Sequence, residues 1–322
     1  MIANWRRLLC TIGATAPGLE RRDPRRAGFA PPPSGKLRFR NCETREPLAL
    51  PPVIITAALT GSRISREQTP AIPITPAEIA AEGVAAWRAG ASVLHVHVRD
   101  AATGLGTQDP EVFREVVDAL RAETDAILCL TTSGIPGRNL PTAQRIAPLA
   151  LQPEMASFDA GTIQMDAGLF VNEPEFLDAL AAEAQARGVK LELECFDLGM
   201  VETALRYHAE GKIPAPLHFQ FVTGTRHGMP ATAAALVEAV GMLPAGATWS
   251  VIGVGRTQTP MAMIALAMGG HVRVGLEDNI FYRHGELATG NAQLVERAVR
   301  LADELGRPVA TPARARELLG LV

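Results

Sequence analysis

The stretch Leu94-His95-Val96-His97-Val98 is the most informative short segment of the chain. Its β-branched composition and strict alternation predict a strand. Side chains alternate between the two faces of a strand, so His95 and His97 share one face and the aliphatic residues share the other. In a parallel α/β fold, the aliphatic face would pack on helices and the histidine face would point into the sheet's interior.

The same kind of strand recurs along the chain and alternates with Ala-rich helical segments. The eight candidate strands are residues 53–59, 92–98, 127–131, 155–159, 191–195, 217–221, 248–254 and 271–275. A plausible helix follows each strand, and Thr75-Pro76-Ala77-Glu78 has the capping-box pattern of a helix start. Doubly wound sheets also alternate strands and helices, but Thr60-Gly61-Ser62-Arg63 is not their Gly-rich phosphate loop. Eight units therefore predict an α/β fold of the TIM (β/α)8 barrel type over residues 51–322.

Residues 1–50 differ from the rest of the chain in charge and pattern. They contain ten Lys and Arg residues against four Asp and Glu residues, and a Pro31–Pro33 run that discourages both helix and strand. We predict a basic, flexible N-terminal extension. A targeting peptide is a weaker interpretation, because the segment has no long apolar stretch.

The composition excludes several classes of partner. The formal net charge is −3, which gives no general attraction to nucleic acid or to an anionic membrane. No apolar run approaches the roughly 20 residues that a membrane span needs. The four cysteines (Cys10, Cys42, Cys129 and Cys195) form no CxxC motif, so we expect reduced thiols and a cytoplasmic protein.

The two histidines suggest a metal site. They fall at the carboxyl end of their strand, which is the end where barrel active sites lie. Two inward imidazoles are costly to bury unless a partner satisfies them, and zinc is a suitable partner. Two hydrogen-bonded core histidines are the alternative. A third ligand is available in Arg273-Val274-Gly275-Leu276-Glu277-Asp278-Asn279, where one carboxylate could bind the metal and the other could act as a base.

Two further segments place polar groups near the same end of the barrel. Thr131-Thr132-Ser133-Gly134 ends the third predicted strand, and its hydroxyls and amides could bind a carboxylate or an oxyanion. Turn-forming hydroxyls are an equally good explanation. Glu192 and Glu194 share one face of the fifth strand, and acids within an apolar run indicate a role in or beside the site.

Several ordered motifs together resemble the β-keto acid cleavage enzymes, over the chain from about Val53 to its end. The histidine strand with Arg99-Asp100 is one of them. The others are Ile55-Thr56-Ala57-Ala58-Leu59-Thr60-Gly61, Pro73-Ile74-Thr75-Pro76, Pro153-Glu154-Met155-Ala156, Trp249-Ser250-Val251-Ile252-Gly253-Val254-Gly255-Arg256, Gly269-Gly270-His271-Val272 continuing through Asn279, and Asn291-Ala292-Gln293-Leu294-Val295.

The resemblance implies a (β/α)8 barrel that carries zinc, or another divalent metal. It implies a reaction in which a β-keto acid and acetyl-CoA give acetoacetate and a new acyl-CoA, and an assembly that is often a homotetramer. The residues that the resemblance assigns are the metal ligands His95, His97 and Glu277, the general base Asp278, its partner Arg273, the assisting hydroxyl of Thr131, and Gly134, whose backbone helps to hold the substrate. We add Ser133 and Glu192 as expected substrate contacts.

Arg63 departs from one branch of the family. The member that takes an amine-bearing substrate has an acid just after its first-strand Thr-Gly segment, where this chain has Arg63. An arginine repels an amine and attracts a carboxylate. We therefore expect a neutral or anionic β-keto acid, such as a β-keto diacid. Alternatively, Arg63 turns outward or contacts the phosphates of CoA.

Two other functions fit parts of the pattern. Metal-dependent hydrolases of the amidohydrolase type also carry an HxH pair in a barrel, but normally on the first strand and with further histidine or lysine ligands. A non-catalytic metal- or ligand-binding barrel would bind metal without turnover, and it gives no reason for the cluster of Arg273, Glu277 and Asp278.

Overall fold

A computed structural model describes residues 50–133, 140–166 and 168–321 of the chain. Nearly all of the predicted N-terminal extension lies outside this range. The strands of the central sheet are β1 Ile55–Ala58, β2 Val93–Val96, β3 Ile127–Leu130, β4 Met155–Asp159, β5 Lys190–Cys195, β6 His218–Thr223, β7 Thr248–Gly253 and β8 His271–Val274.

The sheet closes on itself. Each strand pairs in parallel with its neighbours in sequence, and the first and last strands also pair, with Thr56 of β1 opposite Arg273 of β8. This closure confirms the predicted (β/α)8 barrel. It also places the carboxyl ends of all eight strands at one rim, so residues far apart in sequence can meet there.

Helices follow the strands and cover the outside of the barrel. They are α1 Pro76–Arg88, α2 Pro110–Glu123, α3 Thr142–Ile146, α4 Pro174–Arg187, α5 Leu198–Ala209, α6 Ala233–Gly241, α7 Gln258–Ala267, α8 Asn291–Glu304 and α9 Pro312–Leu319. Their starts follow the sequence signals. Thr75 forms the predicted capping box with Glu78, and Thr311 caps α9 through the amide of Arg314.

The buried apolar residues form two clusters in different parts of the barrel. The larger core lies between the barrel and the helices, and Leu94 and Val96 of β2 belong to it, as the alternation predicted. The smaller cluster fills the amino-terminal end of the barrel, where Val93 meets Ala315 and Leu319 of α9. α9 packs against that end, and the candidate functional groups lie at the opposite rim.

The second strand is shorter than predicted. β2 ends at Val96, and Val98–Arg99 pairs instead with Gly106–Thr107 as a small antiparallel ribbon. Arg99 is buried in this region, where it donates hydrogen bonds to the carbonyl oxygens of Thr60 and Ile64. His97 therefore lies just beyond the end of β2, at the rim. The hydrogen bonds of Arg99 connect this segment to the loop after β1.

Cys129 and Cys195 are buried free thiols, as predicted, whereas Cys10 and Cys42 lie outside the described residues. Among the helices of the described segments, none is long and apolar enough to cross a membrane.

Candidate active site

The predicted metal ligands converge at the carboxyl rim. His95 lies in β2 opposite Ala58 of β1, and His97 follows β2. Glu277 follows β8, which lies on the other side of β1 from β2. The Nε2 atoms of His95 and His97 lie 3.7 Å and 3.3 Å from Oε1 of Glu277. One ligand atom from each residue lies within 4.8 Å of the other two, which is a spacing that a single metal ion can bridge.

The electrostatics of these groups suit a cation. Burial, followed by the nearby Arg273 charge, lowers the pKa of His95 well below its usual range, so its imidazole is neutral and able to ligate. Burial alone would raise the pKa of Glu277, but His97 and Arg273 outweigh it and hold that pKa well below its usual range. Oε2 of Glu277 is buried without a hydrogen-bond partner in the described structure. A bound divalent metal would satisfy this oxygen, so the three residues fit the ion.

Two glycines allow Glu277 to reach the site. Gly275 follows β8 with φ +148°, and a Cβ atom there would lie 2.1 Å from the carbonyl oxygen of Ala58. Gly61 follows β1 with φ +61°, and a Cβ atom there would lie 2.6 Å from Cγ of Glu277. Both contacts are shorter than atoms tolerate, so the rim closes around Glu277 only because both residues lack side chains.

A substitution at Gly275 should therefore be costly. We expect Gly275→Ala to lower the free energy of unfolding by about 3 kcal/mol, because the new methyl group meets backbone atoms that cannot rotate away. Chemical denaturation monitored by circular dichroism measures the loss. Gly241→Ala, at an exposed position with open space around it, is the matched control and should change stability by no more than about 1 kcal/mol.

Arg273 binds three carboxylates at once. Its Nε and Nη2 atoms lie 3.0 Å and 3.1 Å from the two carboxylate oxygens of Asp278, in a bidentate pair. Nη2 also donates to Glu277 over 2.6 Å, and Nη1 donates to Glu194 over 3.2 Å. The guanidinium is almost completely buried, so these pairs are shielded from solvent. The predicted pairing of Arg273 with Asp278 is thus present in the structure.

Asp278 is placed to exchange a proton. Burial raises its pKa, Arg273 opposes the rise, and the adjacent Glu277 carboxylate adds to it. The net effect is a carboxylate that is more basic than usual but is still paired with a positive charge. Asp278 lines the same cavity as His97 and Glu277, so a substrate there can reach all three residues. This combination suits a general base.

The residues that follow β3, Thr131 and Ser133, differ in their access to the cavity. Ser133 lines the cavity, and its hydroxyl donates to Asp159 over 3.1 Å. Thr131 lies beneath it, fully buried, and its hydroxyl accepts a hydrogen bond from the Ser133 amide over 3.0 Å. Thr131 therefore positions Ser133 in this structure. Gly134, the third predicted residue of the segment, lies outside the described residues.

The two acids of β5 lie at different depths. Glu194 lines the cavity and contacts Arg273, whereas Glu192 is one layer deeper, against Cys129 and His218. Burial raises the pKa of Glu192 to about 7. The cavity contact that we expected of Glu192 is therefore made by Glu194.

Glu192, Cys129 and His95 form a second set of possible metal ligands. Burial raises the pKa of the Cys129 thiol well above its usual range, and the Glu192 and Glu194 carboxylates raise it further. A metal at this set would have to displace the thiol proton, whereas the His95 imidazole and the Glu277 carboxylate of the other set are already in their ligating forms. The set of His95, His97 and Glu277 is therefore the better metal site.

The cavity at the rim has a volume of about 180 Å³ and two kinds of wall. The polar wall contains the groups described above. The facing wall is largely apolar, and its residues are Met165, Phe170, Phe196, Val222, Ile252 and Val254. Arg63 is exposed and also lines the cavity, so its charge can be reached both from the cavity and from solvent.

Asp159 is a cavity residue that the sequence analysis did not assign to the site. It ends β4, is 1% exposed, and has a pKa raised by burial. The sequence did contain a signal for Asp159, because it is the last residue of a predicted strand. Catalytic residues of (β/α)8 barrels come from such strand ends. By contrast, Asp100 of the family-like Arg99-Asp100 pair is exposed and caps a turn through Thr103.

Comparison with known proteins identifies the family of the chain. A family model described as beta-keto acid cleavage enzyme matches residues 52–321. A 3-keto-5-aminohexanoate cleavage enzyme of Fusobacterium nucleatum is 46% identical over 84% of this chain and 98% of its own length. A 3-oxoadipate:acetyl-CoA acetyltransferase of Cupriavidus necator is 40% identical over 84% of this chain and 95% of its own.

Among solved structures, ObcA in a ternary complex with a C4-CoA adduct and oxalate superposes with a TM-score of 0.67. The superposition covers 78% of this chain and 68% of ObcA at 22% identity, a likeness that concerns the fold alone. The family match, by contrast, spans almost the whole barrel at high similarity. The chain belongs to the β-keto acid cleavage enzyme family.

Proposed function

We propose that the protein condenses a β-keto acid with acetyl-CoA to give acetoacetate and a new acyl-CoA, and that it depends on zinc. As a member of its family, it is an acyltransferase that cleaves a carbon–carbon bond. One observation carries the proposal. A buried, arginine-paired carboxylate, Asp278, shares a cavity with His97 and Glu277, two of the three candidate metal ligands.

The residues of the chain support each proton and charge transfer. A metal on His95, His97 and Glu277 would supply a Lewis acid for the keto oxygen and carboxylate of the substrate. Asp278 removes a proton from the carbon between those two groups. Arg273 holds the Asp278 carboxylate in place through two hydrogen bonds, and its charge balances the anion that forms.

The bond changes then balance without a further reactant. The enolate carbon attacks the acetyl thioester and releases the thiolate of CoA. The thiolate attacks the original ketone. The bond between that carbonyl carbon and the carbon that now carries the acetyl group breaks, and the new acyl-CoA forms. Protonated Asp278 returns its proton to the departing carbanion, which becomes acetoacetate. The apolar wall formed by Phe170, Phe196 and its neighbours limits the access of water to these intermediates.

A coupled assay tests the proposal. Purified protein is incubated with β-keto acids and acetyl-CoA, with and without a chelator, and acetoacetate and acyl-CoA are quantified. The proposal requires equal amounts of both products and loss of activity with the chelator. Hydrolysis of an amide or lactone without CoA would instead indicate an amidohydrolase-type enzyme. Bound metal without any turnover would indicate a binding protein.

Arg63 supports a neutral or anionic substrate. It is exposed at the cavity edge, where a carboxylate at the far end of a β-keto diacid could pair with it. The relative from Cupriavidus necator is named for 3-oxoadipate, which is such a diacid. The relative from Fusobacterium nucleatum is named for 3-keto-5-aminohexanoate, a β-keto acid that bears an amine. We therefore propose a preference for β-keto diacids or neutral β-keto acids over amine-bearing ones.

Charge reversal at this position should change the preference. We expect Arg63→Glu to lower kcat/KM for a β-keto diacid by about tenfold, because an exposed charge pair becomes a repulsion. The same variant should favour an amine-bearing β-keto acid. Arg88→Glu makes the same charge change at an exposed position at the end of α1 and should leave both values unchanged. A wild-type preference for the amine-bearing substrate would refute the argument from charge.

The remaining properties rest on family resemblance. We propose a homotetramer located in the cytoplasm, with the basic N-terminal residues as a flexible extension. Analytical ultracentrifugation of the full chain tests the assembly, and limited proteolysis tests the extension.

A further inference from the structure

A second cavity of about 670 Å³ adjoins the site at the same rim. It lies between the loop after β7, which includes Gly255 and Arg256, and the loop after β8, which includes Phe281 and Arg283. The two cavities are neighbours along both loops. Val254 and Asp278 line the first, and the next residues in sequence, Gly255 and Asn279, line the second. The amide of Gly255 donates to the carbonyl oxygen of Asp278 over 2.8 Å, so this hydrogen bond joins the two loops where the two cavities meet.

The second cavity is positively charged. Arg256, Arg283 and Arg297 line it, and none of its described lining residues is a carboxylate. Arg256 and Arg283 are exposed, so a dissolved ligand can reach their guanidinium groups. Arg283 also pairs with Glu286 across its own turn over 3.0 Å, an exposed pair that is weak enough to exchange for a stronger anion. Guanidinium groups bind phosphates in bidentate geometry.

Two aromatic side chains supply a flat surface beside these charges. Phe281 is 45% exposed, so a ligand in the cavity can reach its ring. Tyr282 is held from behind, because Arg297 donates to its carbonyl oxygen and lies 4.5 Å from its ring centre, while Arg300 donates to its hydroxyl over 3.0 Å. Exposed aromatic faces beside arginines suit the stacking of a nucleobase.

We propose that this cavity binds the adenosine 3′-phosphate 5′-diphosphate end of acetyl-CoA. The inference rests on the proposed use of acetyl-CoA, and it assigns a location to the part of that molecule that does not react. The loops after strands seven and eight are a common phosphate-binding position in (β/α)8 barrels. From there, the pantetheine arm passes the contact between Gly255 and Asp278 and carries the thioester to Asp278. Arg63, on the loop after β1, then remains available to the β-keto acid.

A comparison of two thioesters tests the assignment. S-acetylpantetheine carries the reacting group and the arm but lacks the nucleotide. We expect the double variant Arg256→Ala/Arg283→Ala to lower kcat/KM for acetyl-CoA by at least about tenfold and to leave kcat/KM for S-acetylpantetheine unchanged. The double variant Arg88→Ala/Arg314→Ala removes two exposed arginines away from the cavity and should leave both values unchanged.

Direct binding separates this inference from the proposed reaction. Calorimetry with adenosine 3′,5′-bisphosphate should show binding to the wild type and binding at least about tenfold weaker to the Arg256/Arg283 variant, whatever the catalytic result. Equal loss with both thioesters, or unchanged kinetics and nucleotide binding, would overturn the assignment. A changed sedimentation coefficient with unchanged thioester kinetics would also overturn it and would identify this surface as a contact between copies of the chain.

Discussion

Replacing Asp278 with asparagine should reduce kcat by about 10²–10⁴-fold, which is the range that a positioned general base contributes. The amide of asparagine has nearly the same shape as the carboxylate, but it cannot accept the substrate proton at neutral pH. It also leaves Arg273 with Glu277 and Glu194 as its remaining carboxylate partners. The metal ligands are untouched by this change, so metal content should match that of the wild type.

Two measurements together make the Asp278 result interpretable. Steady-state assays give kcat, and elemental analysis by mass spectrometry gives the metal bound per chain. Asp118→Asn, at an exposed position of α2, provides the matched control and should behave as wild type. An Asp278→Asn enzyme with normal turnover would remove Asp278 from the mechanism. Loss of metal in that variant would make Asp278 part of the metal site instead.

Removing one candidate ligand should abolish both metal binding and activity. We expect His97→Ala to weaken metal binding by more than about 100-fold, since even the loss of an outer hydrogen-bond partner of a ligand costs 10–100-fold. The Glu277 carboxylate would then lose one of the two imidazoles that lie against it. Dialysis against a chelator should have the same effect on the wild type, and added zinc should restore only the wild type.

The controls for metal removal distinguish ligation from general damage. His227→Ala removes an exposed histidine that is not among the three candidate ligands and should retain both metal and activity. Thermal unfolding of the His97→Ala protein checks that the barrel is intact. Full activity after exhaustive chelation, with no metal detected, would refute metal dependence. Restoration by manganese or cobalt but not by zinc would refute zinc as the metal.

The sequence predicted the parts of the site that depend on the alternation of side chains along a strand and on the position of strand ends. His95 and His97 alternate along one strand, and Glu277 follows a Gly at the end of another, so a closed barrel had to bring them to one rim. Each of these inferences needs only the two-residue period of a strand and the direction of the chain. The fold followed from the same kind of signal repeated eight times.

Depth along the barrel axis could not be predicted in this way. Glu192 and Glu194 share a face, and only the stagger between strands shows that Glu194 lies level with Asp159 whereas Glu192 lies level with Ser157. Stagger is a property of the closed sheet, because it depends on the register of every neighbouring pair.

Loops beyond the strands carry the other residues that sequence patterns did not assign. Phe170 belongs to a short ribbon, Ile163–Met165 paired with Gly168–Phe170, and it reaches the cavity only because that ribbon follows β4 at the rim. An isolated aromatic residue in a loop has no period from which its direction can be inferred. Such positions are decided by tertiary packing.

The buried cluster of Arg273 and its three carboxylate partners has a consequence for the evolution of this barrel. They link β8 to β5 across the interior, in a layer that most barrels fill with branched aliphatic residues. Ionic groups placed there are seldom as stabilising as well-packed apolar residues of the same volume. Selection for thermal resistance alone would therefore tend to replace this layer, and selection for catalysis must maintain it. Attempts to raise the heat tolerance of this enzyme should accordingly begin with the helical shell and leave the rim intact.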